Sequence, residues 1–347
     1  MKSLLFSFTN TEKLAKLVLE EINSLSDENK VELGNLKTQK FSDNENSINY
    51  AESVRGKRVY LISAPRSSDD ILLLLLAIDG AKRSGASEII PILTYMPYSR
   101  QDKPEFRGPI GVKVMAEMIE QRGATSVITF DLHADQIQGF FNIPVTHIEG
   151  KNVFDSFISK IVNKNLKKTI ILCGPDAGSG KRVKRMKDQL QKNHNISLNL
   201  VMLDKTRKAA NVVDEMIIIG DVKGKDVIIL DDMVDTAGTL CKAAEVIITA
   251  GANSVRAIIS HGILSGAAIE HIGESMLSQL IVSDSLMIPD PMELCRTNYN
   301  EERCSHIRHG AAKIRVISVA HQIGLAMAAI NNDLSYEALK SNKKETV

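Results

Sequence analysis

The sequence predicts an α/β protein built from two similar domains, each a mainly parallel sheet flanked by helices. Three observations carry this. Short, continuously apolar runs rich in β-branched residues alternate with helical stretches along nearly the whole chain, the pattern of strands covered on both faces. The 347 residues are enough for two domains that each bury a core. Residues 84–99, SGASEIIPILTYMPYS, also align without gaps to residues 250–265, AGANSVRAIISHGILS, 166 positions later. Each copy reads as a helix end, a Gly-Ala turn, a buried strand and a polar exit.

Taken in chain order, strands are expected at 58–63, 89–95, 126–131, 169–173, 199–203, 226–230, 255–260 and 279–283, with helices between them such as 71–83 and 239–249. The apolar run 71–78 lies between Ser68-Asp69 and Lys82-Arg83. It reads as a buried helix, far short of the roughly 18–20 apolar residues that span a bilayer. The start MKSLLFSFTN turns polar too quickly for a secretory signal. The two domains are expected at 1–155 and 156–320, joined near 147–165, with a helix and tail at 321–347 that frays after Tyr336. Residues 287–313 are polar, carry Pro289 and Pro291 and lack a clear period, and read as a long surface loop.

Composition narrows the function classes. The 43 basic and 42 acidic side chains nearly cancel, so bulk charge points neither to nucleic acid nor to a membrane surface. Four scattered cysteines do not make a disulfide framework, and the cytoplasm is the expected compartment. Cys295, Cys304, His306 and His309 offer four zinc-type ligands. Their spacing, C-x8-C-x-H-x2-H, matches no common structural zinc pattern, so a plain surface loop is the expectation.

The most informative stretch is VIILDDMVDTAGTLCKAAEVI. An apolar strand ends at Leu230, acids follow, and a turn of small residues leads into a helix near Thr239. Ligands of open α/β sheets bind outside the carboxyl ends of strands. Backbone N–H groups of Asp235, Thr236, Ala237, Gly238 and Thr239, at a helix start, can cradle a phosphate, and Ala237 and Gly238 let it come close. The hydroxyls of Thr236 and Thr239 add donors, and Asp231 and Asp232 can accept from two sugar hydroxyls. On its own the loop resembles the ribose-phosphate signature shared by phosphoribosyltransferases and phosphoribosyl pyrophosphate synthetases.

Other residues stand where chemistry is expected. Arg100 and Gln101 follow a strand end, where a guanidinium and an amide can grip polyphosphate and purine. His133 also follows a strand end, next to Asp131 and Asp135, placed to meet a metal or phosphates. Lys205 and Arg207 read as a charge pair in a loop between two strands.

The motifs FSDNE at 41–45, YSRQDK at 98–103, DLHADQIQGFF at 131–141, GPDAG at 174–178, LDKTRKAAN at 203–211 and ISVA at 317–320, with the acidic loop, together resemble the ribose-phosphate pyrophosphokinase family over nearly the whole chain. The resemblance implies two phosphoribosyltransferase-like domains, and transfer of pyrophosphate from MgATP to ribose 5-phosphate for nucleotide biosynthesis. It implies ATP contacts from Phe41, Asp43, Glu45, Arg100, Gln101 and His133, Mg2+ sites involving His133 and Asp176, and ribose 5-phosphate binding by Arg207, Asp231, Asp232 and 235–239. Lys205 and Arg207 would come from a mobile catalytic loop. Phe41, Asp43 and Glu45 would reach across a subunit boundary, implying a homo-oligomer, a hexamer in the common case.

The chain departs from the family at several places. Asn44 stands where the family has glycine, which asks for a left-handed or turn conformation there. Ser179, Gly180 and Lys181 are more polar than usual. The stretch after Lys103 is shorter and less basic in the region that helps form the phosphate and ADP regulatory site, so the resemblance does not extend to that control. Two other readings compete. A phosphoribosyltransferase uses the same loop but needs only one such domain. A non-catalytic regulatory homologue would not need Lys205, Arg207, His133 and the full acidic loop.

Overall fold

The structure, a computed structural model, describes residues 1–25, 30–165, 168–176, 178–206, 215–297 and 300–341. The chain forms two compact units, Met1–Glu149 with Ser318–Val347, and Gly150–Ile317. The division falls at Gly150, ahead of a helix, whereas the boundary expected at 155 would cut that helix.

The first part of unit 1 runs β1 (Ser3–Ser7), α1 (Glu12–Leu25), β2 (Val31–Leu33), β3 (Leu36–Lys40), β4 (Asn46–Tyr50), β5 (Arg58–Ser63), α2 (Ser68–Arg83), β6 (Glu88–Leu93), α3 (Gly111–Arg122), β7 (Val127–Phe130) and β8 (Val145–Ile148). Six strands make a parallel sheet in the order β2-β1-β5-β6-β7-β8, and β3 pairs antiparallel with β4 as a separate hairpin. Every residue of β5 is buried, which is why it reads as a continuous apolar run with no alternation. The apolar run 71–78 is the interior of α2, whose start is closed by a capping box: Ser67 Oγ accepts from Asp70 N, and the Asp70 carboxylate accepts from Ser67 N.

Unit 2 runs α4 (Lys151–Lys164), β9 (Ile170–Gly174), α5 (Gly180–His194), β10 (Asn199–Thr206), β11 (Glu215–Ile219), β12 (Asp226–Val234), α6 (Gly238–Thr249), β13 (Ser254–Gly262), α7 (Ala268–Glu274), β14 (Gln279–Ser283), α8 (Pro291–Thr297), α9 (Glu301–Lys313) and β15 (Ile314–Ile317). Its sheet has the order β11-β10-β9-β12-β13-β14-β15, parallel except for the edge strand β11. Side chains of the central strand alternate between two cores. Val227 and Ile229 pack with Leu240, Ala243 and Ile247 of α6, while Ile228 and Leu230 pack with Phe154 and Ile158 of α4 and Val183 and Leu190 of α5. Burying each of the larger of these side chains contributes about 1.5–3 kcal/mol.

The chain then returns to unit 1 as α10 (Ala320–Asn331) and α11 (Tyr336–Ser341). The hydroxyl of buried Tyr60 and the guanidinium of Arg58, both on β5, donate to Asn331 Oδ1 at 2.9 and 2.8 Å. Arg58 is at the same time paired with Glu88 on β6.

The sequence echo is a structural one. After α2, Gly85 adopts φ +80° and its N–H bonds Lys82 O, while Ala86 N bonds Ala81 O. After α6, Gly251 adopts φ +94°, with Gly251 N on Ile248 O and Ala252 N on Ile247 O. Both are Schellman caps, which require the left-handed region that glycine enters freely. In each unit the carbonyl of that glycine accepts from a second left-handed glycine just before the central strand, Gly56 or Gly224.

Residues 287–313 are not the surface loop expected from the sequence. They hold α8 and α9, and α9 begins with Asn300 Oδ1 accepting from the N–H groups of Glu302 and Arg303. Cys304, Ile307 and Gly310 form its buried stripe. Among the described residues no helix is long and apolar enough to cross a membrane.

Candidate active site

Strand β12 continues past Leu230 to Val234, so Asp231 and Asp232 sit on the strand, with Asp231 in register with Ile259 of β13. The turn that follows is fixed through its carbonyls. Val234 O accepts from Ile263 N and Leu264 N, Asp235 O from Ser265 N at 3.0 Å, and Thr236 O from His271 Nδ1 at 3.0 Å. In a trans peptide the N–H points opposite to the C=O. The N–H groups of Asp235, Thr236 and Ala237 are therefore directed away from the 263–271 segment. Ala237 then takes φ 62°, a left-handed conformation uncommon for a residue with a Cβ, and serves as the N-cap of α6 without any side-chain acceptor. Gly238 has no atom within 4 Å of where a Cβ would stand. The result is a helix start with N–H groups and open space, the elements of an anion cradle.

Acids surround the approach to it. Asp232 is buried and its N–H donates to Asp231 Oδ1 at 2.9 Å. Burial first, then the charges of Asp232 and Asp176, push the Asp231 carboxyl well above the usual carboxylate range. That repulsion is relieved by hydroxyl donors or by a divalent cation, which prefers such oxygen ligands. Asp176 is held by Ser179, whose N–H donates to Oδ1 at 2.9 Å and whose hydroxyl donates to the Asp176 carbonyl. The polar residue at 179 is thereby explained: buried Ser179 is the N-cap of α5 and locks the Asp176 turn.

In unit 1, Arg100 and Gln101 are exposed in the turn after β6, with Gln101 N on Tyr98 O. The Gln101 amide lies against Gly111, so that a side chain at 111 would displace it. His133 is exposed just past β7. The turn leading to it passes through buried Asp131 at φ 40°, and Leu132 N donates to His147 Nε2 at 3.1 Å. Gln136 Nε2 donates to Asp102 Oδ2 at 2.9 Å, linking the turns that carry Gln101 and His133. Phe41, Asp43 and Glu45 are exposed at the tip of the β3–β4 hairpin, and Asn44 adopts φ 71°, the left-handed conformation its position demands.

Lys205 lies in β10, in register with Met216 of β11, and so is on a strand rather than in a loop. Arg207 lies outside the described residues. His133 belongs to unit 1 and Asp176 to unit 2. The four residues Cys295, Cys304, His306 and His309 do not gather as a ligand set among the described residues. Each cysteine thiol instead faces the other's carbonyl, and His306 Nδ1 pairs with Glu274 at 2.8 Å. Sequence reasoning gave no role to Ser265, His271, Gln136 and His147, which act on backbone or on other side chains.

A parallel sheet with acids on its central strand, a carbonyl-pinned turn and an uncapped helix start is the arrangement of a phosphoribosyltransferase-type domain, and the phosphoribosyl transferase domain profile matches residues 147–280. The profile of the N-terminal domain of ribose phosphate pyrophosphokinase matches residues 3–123. Ribose-phosphate pyrophosphokinase of Porphyromonas gingivalis is 38% identical over 336 residues, 96% of this chain and 95% of its own. That of Helicobacter hepaticus is 44% identical over 260 residues, 74% of this chain and 81% of its own. The crystal structure of phosphoribosylpyrophosphate synthetase from Mycobacterium smegmatis superposes with a TM-score of 0.80 at 28% identity, covering 96% of this chain and all of that one. The chain belongs to the ribose-phosphate pyrophosphokinase family, with two phosphoribosyltransferase-like domains.

Proposed function

We propose that this chain is a ribose-phosphate diphosphokinase, in which the anomeric hydroxyl of ribose 5-phosphate attacks the β-phosphorus of ATP in line. The bond from the β-phosphorus to the α,β-bridging oxygen breaks, AMP leaves with that oxygen, and the hydroxyl proton is lost to solvent or base. The pyrophosphoryl group ends on carbon 1. The observation that supports the sugar side most strongly is the α6 start: three successive carbonyls turned aside, a left-handed Ala237 and no side-chain cap.

In this reading the N–H groups of 235–239 and the Thr236 and Thr239 hydroxyls take the 5-phosphate, and Asp231 and Asp232 accept from the two ring hydroxyls. Arg100, Gln101 and His133 take ATP, with Phe41, Asp43 and Glu45 on adenine. Lys205 and Arg207 stabilise charge on the transferred group, since phosphoryl-type transfer asks the protein for positioning and electrostatics. The oxygen-rich, mutually repelling set around Asp231 fits a divalent cation, and His133 and Asp176 are proposed to hold Mg2+. When bound, Mg2+ offsets phosphate charge. The hairpin carrying half-exposed Phe41 supports a homo-oligomer, with a hexamer as the proposed form. The proposed compartment is the cytoplasm.

The test is to supply purified protein with MgATP and ribose 5-phosphate and follow AMP and phosphoribosyl pyrophosphate. Equal amounts of the two are expected. Nucleotide binding without AMP would instead identify a non-catalytic regulatory homologue and overturn the assignment.

A further inference from the structure

We propose that His271 is a positioning residue for the sugar-phosphate turn, and that helix α9 is the brace that holds it there. The proposal rests on the reading of 231–239 as the ribose 5-phosphate site.

The contact is a 3.0 Å bond between His271 Nδ1 and Thr236 O. A carbonyl cannot donate, so the imidazole carries a proton on Nδ1. The bond fixes the Thr236–Ala237 peptide, and with it the direction of the Ala237 N–H at the mouth of α6. It does so where the backbone has reason to relax, because Ala237 is held left-handed against the preference of a residue with a Cβ.

His271 is itself mounted firmly. It belongs to α7, a helix of only seven residues that cannot be stable by local bonding alone. Its backbone carbonyl accepts from Cys241 Sγ on α6. Helix α9 presses against α7 at Gly273 and Gly310, where a Cβ on either would stand 2.0 or 1.9 Å from the opposing His306 or Ile269 carbonyl oxygen. Lys313 Nζ, at the end of α9, donates to the carbonyls of Ile272, Gly273 and Ser275 at 2.9, 3.0 and 2.9 Å. A cation thus caps the C-terminal end of α7, where the helix dipole favours it. Arg303 with Glu270 and His306 with Glu274 add two bridges along the same contact. The segment expected to be a loop is a strut. Its purpose on this reading is to keep α7, and so His271, in place behind the turn.

The test compares His271→Leu with His271→Asn, two side chains of similar shape of which only asparagine can donate. The leucine variant is expected to raise the KM for ribose 5-phosphate about three- to tenfold, the scale of one lost hydrogen bond, with the KM for ATP unchanged. Its melting temperature should also rise less on addition of ribose 5-phosphate, a readout independent of turnover. Asparagine should restore both. Equal effects of the two substitutions, or none from leucine, would overturn the proposal. If leucine fails to fold, His271→Ala takes its place against asparagine with the same expectations. Wild-type protein without saturable dependence on ribose 5-phosphate would sink the site assignment itself, whereas wild-type saturation with an unaltered leucine variant would sink only the role of His271.

Discussion

Two β-strand–turn–helix segments, one in each unit, share a frame and differ in how the helix begins. Counting from Gly56 and Gly224, which have the same φ of 69°, Ser63 at the end of β5 and Ala64 just past it match Asp231 and Asp232 on β12. In unit 1 the matched positions are small and buried, and the start of α2 is closed by the chain's own Ser67 and Asp70. In unit 2 the same frame carries two repelling acids and a helix whose N-cap, Ala237, has no acceptor to offer. The contrast teaches that the site was made by removing local satisfaction from a stable frame. A capped helix start and a quiet strand end support folding; an uncapped start and crowded acids wait for a ligand. Stability is recovered elsewhere, through carbonyl anchors from 263–271 and the α9 strut.

The comparison can be broken at either end. The larger effect is expected from Asp231→Asn. The folded-state pKa of Asp231 lies above its ordinary 3.8, so between those two values the folded state holds more protons than the unfolded one and stability falls as pH rises. The asparagine variant should therefore melt higher than wild type at neutral pH, and the difference should shrink on acidification toward the ordinary value. Turnover should fall on the order of 100-fold, as a charged acceptor for a sugar hydroxyl is lost. A variant that melts lower while turning over normally would reverse the reading of the acids. The smaller effect is expected from Ser67→Ala, which removes one half of the α2 capping box at a cost of about 1 kcal/mol. A urea denaturation midpoint should record that loss, and the KM for ribose 5-phosphate should stay as it is. Movement of that KM would mean the two helix starts are not functionally separate.

Much of the frame was legible in the sequence because it rests on continuous apolar runs. The central strands were placed within a few residues, and the acids and small residues of 231–239 stand together in the chain. The remainder was hidden for physical reasons. Strand β3 is polar and largely exposed, and β4 is half-buried with mainly polar residues, so neither carries a continuous apolar signature. β10 runs on through polar Asp204, Lys205 and Thr206 because β11 pairs with them antiparallel, a contact no local pattern announces. In 287–313 the prolines misled: Pro291 is the first residue of α8, a position that tolerates it, and the buried stripe of α9 includes Cys304 and Gly310, too small to give a strong periodic signal. His271 acts on a carbonyl 35 residues away, and its neighbours in sequence give no sign of it.

If the open start of α6 is the seat of the ribose phosphate, titration of Thr239→Glu with ribose 5-phosphate by calorimetry will show it. Thr239 is exposed in the first turn of α6, where an acid suits the helix dipole, so the variant should melt no lower than wild type. The carboxylate would occupy the place of the phosphate and repel it, at a cost of several kcal/mol. Affinity should fall about 100-fold or more in a fully folded variant; wild-type affinity in that variant would place the phosphate elsewhere.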